Sequence, residues 1–556
     1  MGASLPMCNI RLAISGIALS VVVTTGCQRR DVVVPPNCFA LLTTTDVHGA
    51  IFPHEYGAGD RTVRKGGLIG LSGYLRILRQ RYGDKILLLD AGDMFQGTLI
   101  STLSQGRAIT EAYNLLGYDA AAVGNHEFDL GRLSTDHPDP TGVLSTRMAE
   151  SRFPFLTLNI FERETGERVR WPNSKPSILL DVGKVRVGVL GVSTTETPLV
   201  TRSDLVAHLE FRDPAPLIVS EARRLRDRGA DIVVLLGHLG GQCDQPNDGT
   251  TCELDSELFN LLRQLPQRTI DVAIGGHRHE SVANWFDDIA TIEATAAAKQ
   301  LGWVDVCVSP TGGIDRARST IHPLVDLCLE QWPDGTCSDT VLAGPIRRAT
   351  FMKAPVEPDP ALEIAMQPFR SEARAQYERP INATLPNRLP RDGALSVGPH
   401  VCRAMAEAAH TAIALQNRGG VRADLPSGPL RFGQVFEVLP FSNQVTILDL
   451  SGDELQRIIA YMSQRRGLPP HTYGLDVRVD ADTVSTALAD GSAIDPQKRY
   501  QLATNDFLAT GGEGLDRIIG NMDDSRRHFL GMTILDAMLA YLERTYPITS
   551  STETEH

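Results

Sequence analysis

Gly124-Asn125-His126-Glu127-Phe128-Asp129 is the most specific string in this chain, and it belongs to a series of short polar clusters. The others are Asp46-Val47-His48, Gly92-Asp93, Gly237-His238 and Gly275-Gly276-His277-Arg278-His279. Most of them stand just past short apolar runs, and the expected strands are residues 39–44, 85–89, 155–159, 185–192, 231–236 and 270–274. Amphipathic stretches such as 67–81 and 215–228 fit helices between strands, and that alternation predicts a layered α/β domain. The carboxyl ends of its strands are where such a domain places ligand groups.

Each cluster is weak evidence alone. An Asp-x-His pair is usually a surface feature, and a His beside Gly at a strand end can be satisfied by a backbone carbonyl. Five strand ends that each present a hard or borderline ligand within one domain are a different matter, and they predict a metal centre.

The order D-x-H, GD, GNHEFD, GH, GGHxH resembles the signature of the calcineurin-like metallophosphoesterases and, within them, the 5′-nucleotidase family. That resemblance implies an α/β fold with a four-layer metallophosphoesterase sandwich, joined by a linker helix to a smaller α+β substrate-binding domain. It also implies two divalent ions. Asp46, His48, Asp93 and His279 hold the first, and Asp93, Asn125, His238 and His277 hold the second, with Asp93 bridging. The mixed nitrogen and oxygen set suits Zn, Mn, Co or Fe better than Mg or Ca and does not choose among them. Two adjacent cations acidify a shared water and brace the attacking and leaving oxygens of an in-line displacement. His126 is then the expected acid or transition-state partner, and Asp129 orients it through a carboxylate–imidazole hydrogen bond.

A Pro-rich passage at 354–360 interrupts the pattern, 361–377 has helical composition, and a second block follows with a helix at 399–415 and strands at 445–450 and 500–504. The expected organisation is a leader at 1–27, a linker at 28–37, the catalytic domain at 38–345, a linker with helix at 346–378, the substrate domain at 379–548 and a polar tail at 549–556. Asn417-Arg418-Gly419-Gly420-Val421-Arg422 looks like the family's N-x-G-G-[IV]-R loop. Its glycines permit close backbone approach, and Asn417 and Arg422 are expected to meet base or phosphate groups, for which the Arg fork is suited. Phe441 and Phe507 occupy positions where family members place two rings around a nucleobase, although both could instead be core. The chain also departs from the family. Glu513 replaces an Asp, with a longer arm that can still accept bonds from ribose hydroxyls. Ala394-Leu395-Ser396-Val397-Gly398-Pro399 replaces an acidic and amide-bearing stretch, and Gly393 replaces an Arg for which Arg391 is the nearest stand-in. The reaction type is therefore better specified than the substrate. Family members also rotate the second domain, which would place a pivot in the helical passage after Pro360.

A formal charge of -13 excludes general nucleic-acid binding, which needs a basic surface, but leaves room for a small phosphate ester at a locally positive site. The apolar run at 12–23 is too short to cross a bilayer and fits a secretory signal; small residues before Cys27 resemble a lipobox, with an ordinary cleaved signal peptide as the alternative. Export to the cell envelope or periplasm follows, with a membrane anchor through lipid on Cys27, and Gln28 favours the outer membrane in a Gram-negative host. Of the nine cysteines, Cys8 and Cys27 fall in the leader and Cys402 reads as a buried thiol. Cys243/Cys252 and Cys328/Cys337 flank short polar loops and read as local disulfides, with zinc binding as the competing reading; Cys38 and Cys307 are left without an assignment.

The expected function is hydrolysis of nucleoside 5′-monophosphates. The same site on nucleotide sugars, NAD, 2′,3′-cyclic nucleotides or thiosulfonates, and a non-enzymatic ligand-binding surface lipoprotein, are the alternatives. Oligomeric state is not legible. His126→Ala is expected to keep its metals and lose most turnover; undiminished activity in a metal-replete variant would remove His126 from the mechanism.

Overall fold

The side-chain alternation of the strands dictates the layering. Phe39 and Leu41, Leu87 and Leu89, Val187 and Val189, and Ile232, Val234 and Leu236 all enter one core between two sheets. The alternate residues Ala40, Leu42 and Leu88 face outward against the helices Gly67–Tyr82 and Arg107–Leu116. On the far side Leu190, Val192, Val233 and Leu235 pack on Pro214–Asp227 and Glu257–Gln264. Strands apolar on both faces need cover on both faces, and helix–sheet–sheet–helix is the result. The computed structural model that shows this describes residues 34–548 apart from 59–60, 135–136, 394 and 481–482. The leader, Cys8, Cys27 and the tail at 549–556 lie outside the described residues.

The first sheet runs Thr320–Ile321, Gln300–Cys307, Cys38–Thr44, Ile86–Asp90, Ala120–Ala122, Phe155–Leu156, Ser174–Lys175. The second runs Val282–Phe286, Ile289–Glu293, Val272–Ile274, Ile232–His238, Val185–Ser193, Ser177–Val182. Parallel pairing of Cys38–Thr44 with Ile86–Asp90, and of Val185–Ser193 with Ile232–His238 and then Val272–Ile274, brings their carboxyl ends to one edge of each sheet. One expected strand is corrected. Residues 155–159 form a ladder only over Phe155–Leu156: the Leu158 amide donates to the Gly191 carbonyl at 2.8 Å, and the Asn159 side chain donates to the Ser193 carbonyl at 2.8 Å and accepts from the Ser193 amide at 2.9 Å.

The second block is a five-stranded sheet in the order His471–Tyr473, Ile413–Gln416, Arg499–Asn505, Gln444–Ser451, Arg527–Thr533. Gly398–Ala409 and Ile534–Thr545 cover one face and Gly452–Arg466 the other. The helix expected at 399–415 is also corrected: it stops at Ala409, where His410 takes a left-handed φ of 53°, and Ile413–Gln416 enters the sheet. A strand buried on both faces has no period that separates it from a continuing apolar helix. The connecting helix Pro360–Tyr377 starts on the Asp359 cap, whose side chain accepts from the Ala361 amide. Its Leu362, Met366 and Phe369 belong to the core of the first domain, and Ala365 and Ala373 pack against that core.

Among the described residues three disulfides form: Cys243–Cys252, Cys328–Cys337 and Cys38–Cys307. The zinc alternative for the two local pairs is thereby corrected. Cys38 and Cys307 face each other in register on neighbouring strands, and a sequence separation of 269 left no spacing to read. Cys402 is a buried free thiol. Loss of the Cys38–Cys307 bond in a Cys38→Ala/Cys307→Ala variant is expected to cost about 2–4 kcal/mol, read as a lower denaturation midpoint of the first domain; an unchanged midpoint would mean that the strand ladder alone carries this edge.

Candidate active site and metal centre

The ligand-bearing loops leave their strands through unusual backbone. Asp46 (φ 51°), His48 (50°), Asp93 (57°), His277 (82°) and His279 (62°) are all left-handed, a conformation that costs about 1–2 kcal/mol for each residue with a Cβ. A left-handed residue redirects the chain in one step, which lets residues two apart serve one point. Backbone bonds hold the first two loops together: the Asp46 amide donates to the Gly92 carbonyl, and the His48 amide to that of Asp93, each at 2.9 Å.

Two groups of potential ligands result, Asp46 with His48 and His279, and Asp93 with His238 and His277, each with its atoms within 4.8 Å of one another. The donor set fits cations. Nδ1 of His48 faces the Gln96 carbonyl at 2.7 Å and Nδ1 of His238 faces the Ala91 carbonyl at 2.9 Å. Those protons fix the tautomers and leave both Nε2 lone pairs pointing inward. Nε2 of His48 lies 2.9 Å from Nε2 of His279, which is 3.5 Å from Asp46 Oδ1. Nε2 of His238 lies 3.1 Å from Asp93 Oδ2 and 3.1 Å from Asn125 Oδ1, so the amide joins the second group. Burial, followed by the charge of His279, pulls His48 well below the usual histidine range, and burial with His238 takes His277 to about 3. Neutral imidazoles are the ligand form. His238 moves up to about 10: burial opposes the charge, but Asp93 outweighs it, and a bound cation would take that proton's place.

His126 Nδ1 lies 2.5 Å from Asp129 Oδ2, and the Thr201 hydroxyl donates to Asp129 Oδ1 at 2.6 Å. The His126 amide donates to Asp93 Oδ1 at 2.8 Å, which fixes the pair beside both ligand groups. Burial depresses the imidazolium, but Asp129 and Asp93 outweigh it and hold its pKa up to about 9. Divalent ions nearby act in the opposite direction.

Glu127, within the GNHEFD string, carried no expected role. It is fully buried and accepts from the amides of Asp93 (2.8 Å), Met94 (2.7 Å), Phe95 (3.4 Å) and Gly124 (2.6 Å). Its carboxylate thus clasps two ligand loops. Burial and Asp93 push its pKa up to about 8, while the amides favour the ionised form, as would cations beside Asp93. No periodicity announces such a residue; only an unexplained acid between two ligands could have.

A cavity of about 880 Å³ opens beside these groups, and both domains line it. Asn125, His126, Asp129, His277 and His279 come from the first, and Asn417, Arg422, Phe441, Phe507 and Glu513 from the second. Both Phe residues are half-buried and line the cavity, and Phe507 also packs against the core of the second domain. The ring of Phe441 stacks on His126 with centroids 5.9 Å apart, and the Arg422 guanidinium lies 5.9 Å from the Phe441 centroid. Asn417 donates to Glu513 at 3.3 Å. Arg391 is corrected as the stand-in cation: its backbone amide is bound to Asp424 at 2.6 Å and it is not among the lining residues. Arg465, 3.9 Å from Glu513, lines the cavity instead, with Arg202 and Arg278 from the first domain. The sequence singled out neither: Arg278 stands at the variable position of GGHxH without an expected role, and Arg465 lies at the end of a helix remote in sequence.

A family model described as calcineurin-like phosphoesterase matches residues 39–281, and one described as 5′-nucleotidase, C-terminal domain matches 376–518. The chain is 26% identical to Protein UshA of Escherichia coli over 540 residues, covering 91% of each. It is 24% identical to a 5′-nucleotidase of Vibrio cholerae, covering 91% of this chain and 90% of that one. Among solved structures, a 5′-nucleotidase precursor of Thermus thermophilus aligns with a TM-score of 0.71 at 24% identity, covering 92% of this chain and 97% of that one.

Glu127→Gln exchanges one acceptor oxygen for a donor facing amide hydrogens. A buried bond lost in this way costs about 1–3 kcal/mol. The variant is expected to melt earlier and to purify with less bound metal; full metal content at unchanged stability would show that the clasp is dispensable.

Proposed function

The chain belongs to the calcineurin-like phosphoesterases with a 5′-nucleotidase C-terminal domain, metal-dependent hydrolases of phosphate esters, and on that premise we propose that it removes the 5′-phosphate from nucleoside monophosphates. The observation that supports the reading is a cavity lined by both the ligand groups and the aromatic and polar side chains of the second domain. In this reading Asp46, His48, Asp93 and His279 hold one divalent ion, and Asp93, Asn125, His238 and His277 the other. The bound pair supplies an acidified water and neutralises phosphoryl charge. Asp129 holds the Nδ1 side of His126, leaving Nε2 to meet a phosphoryl oxygen or the departing 5′-oxygen. Phe507 and Phe441 offer flat faces to a base, Glu513 and Asn417 accept and donate at its sugar or edge, and Arg422 carries fixed positive charge for an anion. Three disulfides suit an oxidising compartment and support export; the anchor at Cys27 remains part of the proposal.

Purified protein supplied with Mn or Zn is expected to release nucleoside from AMP faster than it cleaves a UDP-sugar, NAD, a 2′,3′-cyclic nucleotide or an aryl phosphate. Cleavage of aryl phosphate with no action on any nucleotide would overturn the substrate assignment. Full activity after exhaustive chelation would overturn the metal assignment.

A further inference from the structure

One short segment of the first domain touches both the carboxylate of Asp129 and the second domain. The helix Thr197–Val200 packs against the turn Gly512–Gly514, which carries Glu513. The two residues that follow the helix then diverge. Thr201 is buried, and its hydroxyl donates to Asp129 Oδ1 at 2.6 Å. Arg202 points across the domain boundary, its Nε 3.6 Å from Asp506 Oδ2, while Asp204 holds the same guanidinium from its own side at 2.8 and 3.1 Å.

Asp506 gives this contact its weight. It is 2% exposed, and it sits directly before Phe507 of the substrate cavity. Its Oδ1 accepts from the Phe507 amide at 3.0 Å, whereas Oδ2 has no hydrogen-bond partner. The opposite charge facing that buried oxygen is Arg202 of the other domain, and a buried carboxylate deprived of its cation is strongly disfavoured. Burial moves the carboxyl up to about 6, and Arg202 is the first influence that brings it back.

We infer that Thr201 and Arg202 are positioning residues that tie the orientation of Asp129, and through it His126, to the docking of the second domain. The inference rests on the reading of Asp129 as the residue that orients His126. The chain of contacts is Phe507–Asp506–Arg202–Thr201–Asp129–His126, with a peptide bond at each of two links and side-chain contacts at the rest. With Asp506 in place, Arg202 is held from both sides and Thr201 is fixed beside it. With Asp506 withdrawn, Asp204 alone retains the guanidinium, and the hydroxyl that steadies Asp129 loses its fixed anchor. Turnover is thereby favoured when the substrate-bearing domain is seated.

The test is steady-state kinetics with AMP on metal-replete full-length protein. Arg202→Gln and Asp506→Asn are each expected to lower kcat about 10-fold with a smaller change in KM, and the double variant to be no worse than either, because the two act as one unit. Thr201→Val is expected to lower kcat similarly and to shift the pH profile in the same direction as Asp129→Asn, while Thr201→Ser, which keeps the hydroxyl, restores both. Additive losses in the double variant, a rise in KM with unchanged kcat, or wild-type turnover in Thr201→Val would each overturn the inference. Metal content and melting temperature separate misfolded variants, and Arg202→Lys provides a charged substitute if Gln is not tolerated. Asp129→Asn distinguishes the two readings: full activity there removes the dyad itself, whereas loss there with no effect at Thr201, Arg202 or Asp506 removes only the coupling.

Discussion

Inward-facing lone pairs at one edge of two sheets are the constraint on which the rest of this molecule depends. His48 and His238 each use one ring nitrogen on a backbone carbonyl and turn the other toward a space shared with carboxylates, an amide oxygen and further imidazoles. Such a set is favourable only around positive charge. The strained turns, the buried acids and the close backbone packing are consequences. Gly124 shows how tight the packing is: a Cβ there would stand 2.1 Å from Asp93 Oδ1. Glu127 answers the same demand from behind, by fixing the amides of the loops that carry Asp93 and Asn125. Asp90 supports the same loop, taking bonds from Thr44, Gly92 and Tyr113.

The layered fold was legible because its strands are short and apolar and end in polar clusters, and the alternation of Phe39 to Leu42 or Leu87 to Leu89 between two cores is its physical content. The candidate ligands were legible because metal chemistry admits few residue types. What escaped was whatever depended on a tertiary partner. Cys38 needs Cys307, the strand Ile413–Gln416 needs neighbours on both faces, and Asn159 needs Ser193. Glu127 shares its string with the ligands, yet its role exists only once four amides surround it. Arg465 has no local signal and reaches the cavity because Gly452–Arg466 lies across the second sheet.

The second domain shows how a cavity tolerates change in its lining. In the stretch where the resemblance to the family lapses, Val397 is buried in the core of the second domain and Gly398 and Pro399 begin a helix, while Leu395 is exposed. Asn417 and Glu513 bond to one another, and Asn505 donates to Asn417 at 3.0 Å, which leaves a connected polar floor under the cavity. Glu513 is itself left-handed, at φ 59°. Cationic character comes from Arg422 and Arg465 on one side and from Arg202 and Arg278 on the other.

The Cys38–Cys307 bond has a mechanical consequence. Cys38 opens the strand that lies between Gln300–Cys307 and Ile86–Asp90 in the sheet that leads to Asp46 and His48. Tension on the chain ahead of Cys38 would otherwise peel that strand from its neighbours one hydrogen bond at a time. With the sulfurs joined at the point of entry, the load passes into the adjacent strand through a covalent bond, and the ladder beyond it carries none of the first pull. The amino-terminal end of this strand is thus the part least able to unzip, and the ligand loops at its far end are shielded from a pull applied there.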